Sequence, residues 1–597
     1  MVKLIGKKTF PGGSMKRIVS LLMTLVMLFG VMTTLASCGA PKDDGAEINI
    51  YLGAEVFDFD PSDYYVSANA EQVLSLIYEP LFTISDNGKL QYAGAKKYKV
   101  DKEERKIIID IRESYWSDNI KVVAADYVYA WCNRIIDSST ANPAAALFTD
   151  IEGVKEAISG EGNISDVGIK ATEMDQITIT YCEGADYKRI LTNLASVAAS
   201  PVRQSVVETA ETYWSKYTAT IVTNGPFKLK NYDRENGTFE LTRNLGYHQN
   251  PTVKDYDNNV NPGLIYGNFT SGDSEITVSY NDIKSKVVFV MADASLAERK
   301  EFKKKADTAE HTSVYTYVFN TANPLFADAN VRLALSCAID RNAIIEAITF
   351  GKAADGFIPD VSGGSKEKLI STGADMNKAK DYLAKATTTA EKSFTLTIDS
   401  DEQSKAIADI AVAAWTELGF NVTLKVAEPV ETTLSNGTIV IDSGIQYLVK
   451  DASYGKVNYD VIAVDWQTYS LDAAAGLTTL TSNLNGMGKD QFGGNVEEGT
   501  SYYSVARKNI AGWSDSEYDA LVAAALAATN KKDRAAKLVE AESYLISQMP
   551  VCPLVFNESF VFTGSKISKL EFNGLGNLVF TDVKLGSYKK FLKPEEE

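Results

Sequence analysis

One stretch constrains the fold of this chain more than any other. Phe394, Leu396 and Ile398 alternate with polar residues, and a helical run follows from about Gln403 to Leu418. Gly419 stops that run, after which Val422, Leu424 and Val426 alternate again. Two strands separated by one helix form a β-α-β unit, in which the strands lie parallel and the helix packs back across them. Parallel strands are covered on both faces, so their sequences become nearly continuous apolar runs. Tyr459-Asp460-Val461-Ile462-Ala463-Val464 is such a run. The C-terminal half therefore contains a helix-covered α/β lobe.

Shorter patterns fill in the remainder. Lys106 to Arg112 (KIIIDIR) predicts a strand, and Thr238 to Arg243 (TFELTR) predicts a hairpin strand after Gly237. Ala125 to Ile136 (ADYVYAWCNRII) predicts a helix burying Val128, Trp131 and Ile135. Ser514-Asp515-Ser516-Glu517 fits a capping box, opening a helix with Tyr518, Leu521, Val522 and Ala525 on one face. A second helix is expected from about Arg534 to Ser547, and Pro550 and Pro553 bracket a short extended segment beyond it. No repeat or low-complexity segment interrupts the chain. Its 597 residues suffice for two large lobes or about three domains.

The first forty residues are of another kind. Met15-Lys16-Arg17 precedes an apolar run from Ile18 to Leu35, which ends in Leu35-Ala36-Ser37-Cys38. Basic, then apolar, then small residues is the order of a secretory signal. Met15 suits the start of such a signal better than Met1, and the 1–38 signal segment is expected to be cut just before Cys38. The closing tetrapeptide resembles the lipobox of bacterial lipoproteins. That resemblance implies acyl chains, palmitate among them, on Cys38, and two or more such chains hold a protein stably on a membrane. Residues 39–47 (GAPKDDGAE) are small and polar, as a flexible tether is. Processing removes five basic residues and no acid, so 60 bases against 78 acids (−18) become 55 against 78 (−23).

Such an acid excess excludes most nucleic-acid binding, which depends on neutralising phosphates. Histidine is scarcer still: His248 and His311 are the only two. A three-His metal site and an HExxH motif are thereby excluded, and a Ser-His-Asp or Cys-His pair would need one of these two. Both are expected to be solvated or locally hydrogen-bonded. With Cys38 assigned to lipid, Cys132, Cys182, Cys337 and Cys552 remain, widely spaced and without a CxxC pair, so buried free thiols are expected. A phosphate loop, a GxSxG elbow and an EF-hand loop are all missing from the sequence. Neither metal nor cofactor is expected. Tyr64-Tyr65, Tyr315 with Tyr317, Trp466 with Tyr469, and Tyr502-Tyr503 are aromatic pairs of the kind that wall a ligand cleft.

A resemblance covers nearly the whole processed chain. Tyr115-Trp116-Ser117-Asp118, followed by Val123 to Trp131 (VAADYVYAW), is similar to a signature of the peptide/nickel-type extracellular solute-binding proteins of ABC transporters, the oligopeptide-binding family 5. Asp60-Pro61, Tyr78 to Phe82 (YEPLF), Val222 to Leu229 (VTNGPFKL) and Arg243-Asn244 match further family segments in order. So do Phe319-Asn320-Thr321, Asn323 to Phe326 (NPLF), Val331 to Ala334 (VRLA) and Ala338 to Arg341 (AIDR).

The resemblance implies an α/β, two-lobed periplasmic-binding-protein-like fold (type II, cluster C) whose lobes close on a ligand. Lobe I would comprise 48–313 with an extra subdomain at about 82–221, lobe II 314–545, and residues 546–597 would return to lobe I. It also implies a monomer that is not an enzyme, that captures peptides outside the cell and that hands them to permease subunits with their ATPases. Peptide-binding members carry an Asp three residues after a Trp, and that Asp pairs with the peptide ammonium; here Trp466 is matched but Tyr469 stands in the Asp position. Ala144 stands where some members have a Tyr. The cleft residues expected are Trp466, Gln467, Tyr469, Tyr65, Asn320 and Asp465, with Trp466 as a wall, Gln467 on ligand main chain and Asp465 receiving a cation. Alternatives are a non-peptide solute, a peptide sensor on the same scaffold, or a secreted hydrolase using paired carboxylates.

Overall fold

The computed structural model describes residues 46–586 apart from 64–67, 138–141, 211–213, 217–219, 249–259, 271–277, 434–438, 454–458 and 485–508. The signal segment with Cys38, most of the tether, Tyr65 and the pairs Tyr64-Tyr65 and Tyr502-Tyr503 lie outside the described residues.

Among the described residues one sheet of eleven strands organises the chain. From one edge its order is Asn421–Val426, Ser393–Ile398, Val461–Gln467, Asp307–Phe319, Val551–Thr563, Val290–Met291, Ala46–Ala54, Pro262–Thr270, Thr238–Arg243 and Phe227–Asp233; Lys352–Ala353 pairs beside Val551–Thr563. The two central strands are 13 residues each and antiparallel, and they change register between Glu310 and Val314. On one side of that shift Asp307 to Glu310 pair with Val561 to Glu558; on the other, Val314 to Val318 pair with Phe556 to Val551. Strand Val461–Gln467 joins only the second half, and Val290–Met291 only the first. The two long strands thus cross between two half-sheets.

Each half-sheet has its own core. One gathers Ile48, Trp131, Leu241 and Val290 with Val561 and Leu578; the other gathers Val314, Ile344, Trp415, Val464 and Leu545 with Leu554. The expected β-α-β unit lies in the second. Ser393–Ile398 and Asn421–Val426 pair in parallel, and helix Glu402–Glu417 buries Ile407, Ala408, Ala411 and Trp415 across them. Gly419 follows at φ +87°, a conformation glycine enters without a Cβ penalty. Leu424 departs from expectation: it is 39% exposed, because its strand is the sheet edge.

Strand Lys106–Ile111 alternates as predicted, with Ile107, Ile109 and Ile111 buried, inside a separate four-stranded sheet. Thr238–Arg243 pairs with Phe227–Asp233 as a hairpin. Other readings change. The predicted 125–136 helix is α-helical over Ala124–Tyr129 and π-helical over Ala130–Ile136, so Tyr127 joins Trp131 and Ile135 inside while Val128 is half-buried. Asp515, not Ser514, caps the helix Ser516–Ala527, accepting from the Glu517 and Tyr518 N–H groups. The Asp515 carboxylate, next to the first turn, reaches both orphan donors by itself.

The segment after Pro550 is not short but the 13-residue second crossing strand. Pro553 lacks an N–H, and it sits where the ladder shifts register against Tyr315 and Thr316, a position that does not require one. All four described cysteines are free; Cys132 and Cys552 are buried, whereas Cys182 and Cys337 are only half-buried.

Candidate ligand site between the two cores

The carboxyl ends of parallel strands are where open α/β sheets leave room for ligands. Strand Ser393–Ile398 pairs through Leu396 and Thr397 with Val461 and Ile462, so Val461–Gln467 runs on beyond its carboxyl end, past the level of Asp399 and Asp401. Opposite the end of Val461–Gln467 stands the first crossing strand, with Gln467 facing Ser313, Trp466 facing Val314 and Asp465 facing Tyr315. Residues two apart share a face of a strand. Asp465 and Gln467 therefore leave one face, the one covered by the helix carrying Trp415, whose ring is 5.7 Å from Tyr317. Trp466 leaves the other.

Gln467 is 1% exposed, and neither amide atom has a hydrogen-bond partner. A buried amide left unpaired costs about 1–3 kcal/mol, so such a group marks the place of a missing partner. Asp465 is half-buried and accepts from Asn557 Nδ2 at 2.7 Å. Burial, with Asp401 and Asp399 nearby, pushes its carboxyl up to about 7 against the pull of Asn557. Asp399 and Asp401 are both exposed, yet the protein beside Asp399 and the neighbouring Asp401 push the Asp399 carboxyl up to about 6.

A chain of polar side chains leads from Asp465 into the other core. Asn557 Nδ2 also donates to Ser313 Oγ at 2.7 Å, and Ser313 Oγ contacts His311 Nδ1 at 2.8 Å. His311 Nε2 lies 3.6 Å from Glu71 Oε2, and Glu71 Oε1 accepts from Asn577 at 2.8 Å. Burial lowers His311 to about 4 and raises Glu71 to about 7, so near neutral pH the imidazole is uncharged and the contact is not an ion pair. His311 is thus locally bonded, as expected. His248 is neither solvated nor local: its Nε2 is 2.6 Å from Glu79, brought in from the distant Tyr78–Phe82 segment.

The structure separates the expected cleft residues. Trp466 packs on Phe357 at 5.7 Å, and its indole N–H donates to Thr479 at 3.2 Å, within the second core. Tyr469 turns at φ +59° and buries its ring in the first core, so the expected Trp466–Tyr469 pair is split. Asn320 is at the far end of the first crossing strand, about 20 Å from Gln467 at strand spacing. Its amide is used locally, Nδ2 donating to the Tyr459 carbonyl and Oδ1 accepting from Ala322 N–H. Ala144 is fully buried. Asp465 and Gln467 remain together. Asp399 and Asp401 were not singled out in the sequence, where they are two acids among 78.

Around this end the two cores are stitched together. Ser470 Oγ donates to Asn193 at 2.5 Å, and Asp472 caps helix Ala473–Thr478 while receiving a two-pronged contact from Arg534 at 2.8 Å. Arg189 reaches Asp150 at 2.5 Å and Asp472 at 3.5 Å. Lys216 lies between Asp58 at 3.2 Å and Asp442 at 2.5 Å, and this pair of carboxylates raises its ammonium despite burial.

Two cores bridged by two crossing strands, with polar groups where they meet, make up the two-lobed α/β architecture of periplasmic-type solute-binding proteins. The chain belongs to the bacterial extracellular solute-binding proteins, family 5, whose middle region matches residues 89–488. Members of this family are binding proteins, not enzymes. Among relatives, the periplasmic oligopeptide-binding protein OppA of Salmonella typhimurium is 28% identical over 426 residues, 66% of this chain and 75% of that one. The oligopeptide-binding protein OppA of Bacillus subtilis is 23% identical over 588 residues, 94% of this chain and 98% of that one. The structure of the Escherichia coli murein tripeptide binding protein MppA superposes with a TM-score of 0.72 at 22% identity, covering 91% and 99%. No helix among the described residues is long and apolar enough to cross a membrane.

Proposed function

We propose that this protein is the lipid-anchored peptide receptor of an ABC importer, holding a short peptide between its lobes outside the cell and passing it to the permease. The observation that carries this reading is the buried, doubly unpartnered Gln467 beside the half-buried Asp465 at the seam of the lobes. A peptide backbone offers the N–H and C=O that Gln467 lacks, and a peptide ammonium offers the cation that Asp465 lacks. Relatives that bind oligopeptides support the same ligand class.

In this reading lobe I spans 48–313 with its subdomain at about 82–221, and lobe II spans 314–545 and runs on, past the boundary expected from sequence, to about Phe556, whose strand half packs in the second core; the chain beyond returns to lobe I. The register shift at Glu310–Val314 is the hinge about which they close. Tyr65 is a further cleft residue, Trp466 and Tyr469 back the Asp465–Gln467 end from the two cores, Asn320 takes no part at this end, and Cys38 carries the acyl chains. Thermal unfolding of the purified chain with short peptides tests it, since a ligand that binds only the fold raises the midpoint by mass action. A rise with peptides supports the reading. No rise with any peptide, but a rise with another solute class, replaces peptide by that class.

A further inference from the structure

We infer that the site takes peptides carrying a basic residue at or beside their amino end, because Asp465, Asp399 and Asp401 together present more negative charge than one ammonium can answer. The inference rests on the peptide reading above and specifies its ligand class. Strand Ser393–Ile398 runs directly into Asp399 and Asp401, and its neighbour Val461–Gln467 carries Asp465 at the same end. Tyr315, opposite Asp465, feels both Asp465 and Asp401.

What these carboxylates already hold is limited. Asp399 Oδ1 accepts from the Ser400 N–H at 2.7 Å, Asp401 Oδ1 from Ser404 N–H at 2.8 Å, and Asp465 Oδ1 from Asn557. None of those donors is a cation. Arg299, which reaches the start of the adjoining helix through Gln403, is committed to Asp293 at 2.6 Å. Among the described residues none of the three acids forms an ion pair, whereas Asp472, Asp150, Asp58 and Asp442 at the same seam all do.

An acidic group alone would be a solvated surface feature. Here a second observation points inward: Gln467 leaves the same strand face two residues beyond Asp465, is buried, and has both amide atoms open. A ligand main chain laid along Gln467 puts its terminal ammonium at Asp465, and a Lys or Arg side chain next to that ammonium then falls toward Asp399 and Asp401.

The test is calorimetric titration of the full chain in detergent with the tripeptides Ala-Ala-Ala, Arg-Ala-Ala and Ala-Arg-Ala, each with a free and an acetylated amino end. At least one arginine peptide should bind about tenfold tighter than Ala-Ala-Ala, the scale of one charge-assisted contact. That advantage should shrink in high salt and should be lost in D399N/D401N. Asparagine keeps the helix cap and the Ser400 contact, and D465N alone, which keeps the Asn557 acceptor, serves if the double variant unfolds. Acetylation separates the two sources of cation: it should weaken all three peptides yet leave part of the arginine advantage. Equal affinity for the three peptides, or an advantage untouched by these substitutions, overturns the inference alone. Failure of every peptide to bind overturns the peptide reading with it.

Discussion

Two patches of the seam between the lobes are built in opposite ways. At Asp472 every charge is answered: Arg534 grips it with two hydrogen bonds, Arg189 bridges it to Asp150, and Ser470 bonds Asn193 alongside. At Asp465 and Gln467, a few residues earlier in the same segment, the polar groups are left short. Asp465 has one neutral donor, Gln467 has none, and Glu71 at the end of the polar chain has an open Oε2. Burial is comparable in the two patches, so access to water does not explain the difference. The paired patch ties Asp472 and Ser470 to both cores; the unpaired patch is where the proposed reading puts the ligand.

Breaking the paired patch should have the largest effect. D472A leaves Arg534 buried without its carboxylate and removes a helix cap, and should cost roughly 3–5 kcal/mol in denaturant unfolding. A cost below about 1 kcal/mol would mean that the patch does not secure the lobes.

Glu71→Gln addresses the polar chain through pH. Burial raises the Glu71 carboxyl from 4.5 to about 7, so the fold favours its protonated form. That contribution is complete below pH 4.5 and is lost as pH rises through about 7. The amide cannot ionise, so E71Q should match the parent near pH 4 and exceed it by about 3 kcal/mol at pH 8, at about 1.4 kcal/mol for each pH interval of one between the two values. Unfolding curves of the two proteins that stay parallel across this range would contradict the assignment.

Asp465→Asn should separate binding from stability. Peptide affinity should fall about tenfold, as on losing a charge-assisted contact, while stability at pH 8 holds or rises because a penalised carboxylate has gone. Titration calorimetry and unfolding on one preparation give both values. The smallest effect belongs to Gln467→Leu, which should stabilise the free protein by about 1 kcal/mol through removal of two unpaired groups and weaken peptide binding severalfold. Destabilisation instead would show that Gln467 is a packing residue.

Much of the fold was legible in sequence because it rests on local periodicity. The Phe394–Val426 unit, the Val461 run and the alternating Lys106 and Thr238 strands declare their own burial. The crossing strands did not. Asp307, Thr308 and Glu310 are polar, the half from His311 to Phe319 is buried without alternation, and Pro553 masks its partner. The site was legible in part. Asp465 and Gln467 follow from the family position of Trp466, but the turn at Tyr469 that sends its ring into the other core is a tertiary outcome. The approach of Asp399 and Asp401 depends on which strands lie side by side, and no spacing records that.

The most direct test of the central claim, that a peptide is held at the Asp465–Gln467 end between the lobes, is backbone hydrogen exchange of the full chain with and without Ala-Arg-Ala at saturating concentration. The account predicts slowed exchange in segments covering 310–316, 464–471 and 556–558, with Lys106–Ile111 in the separate sheet unchanged. Saturated binding with unchanged exchange at 464–471 would contradict it.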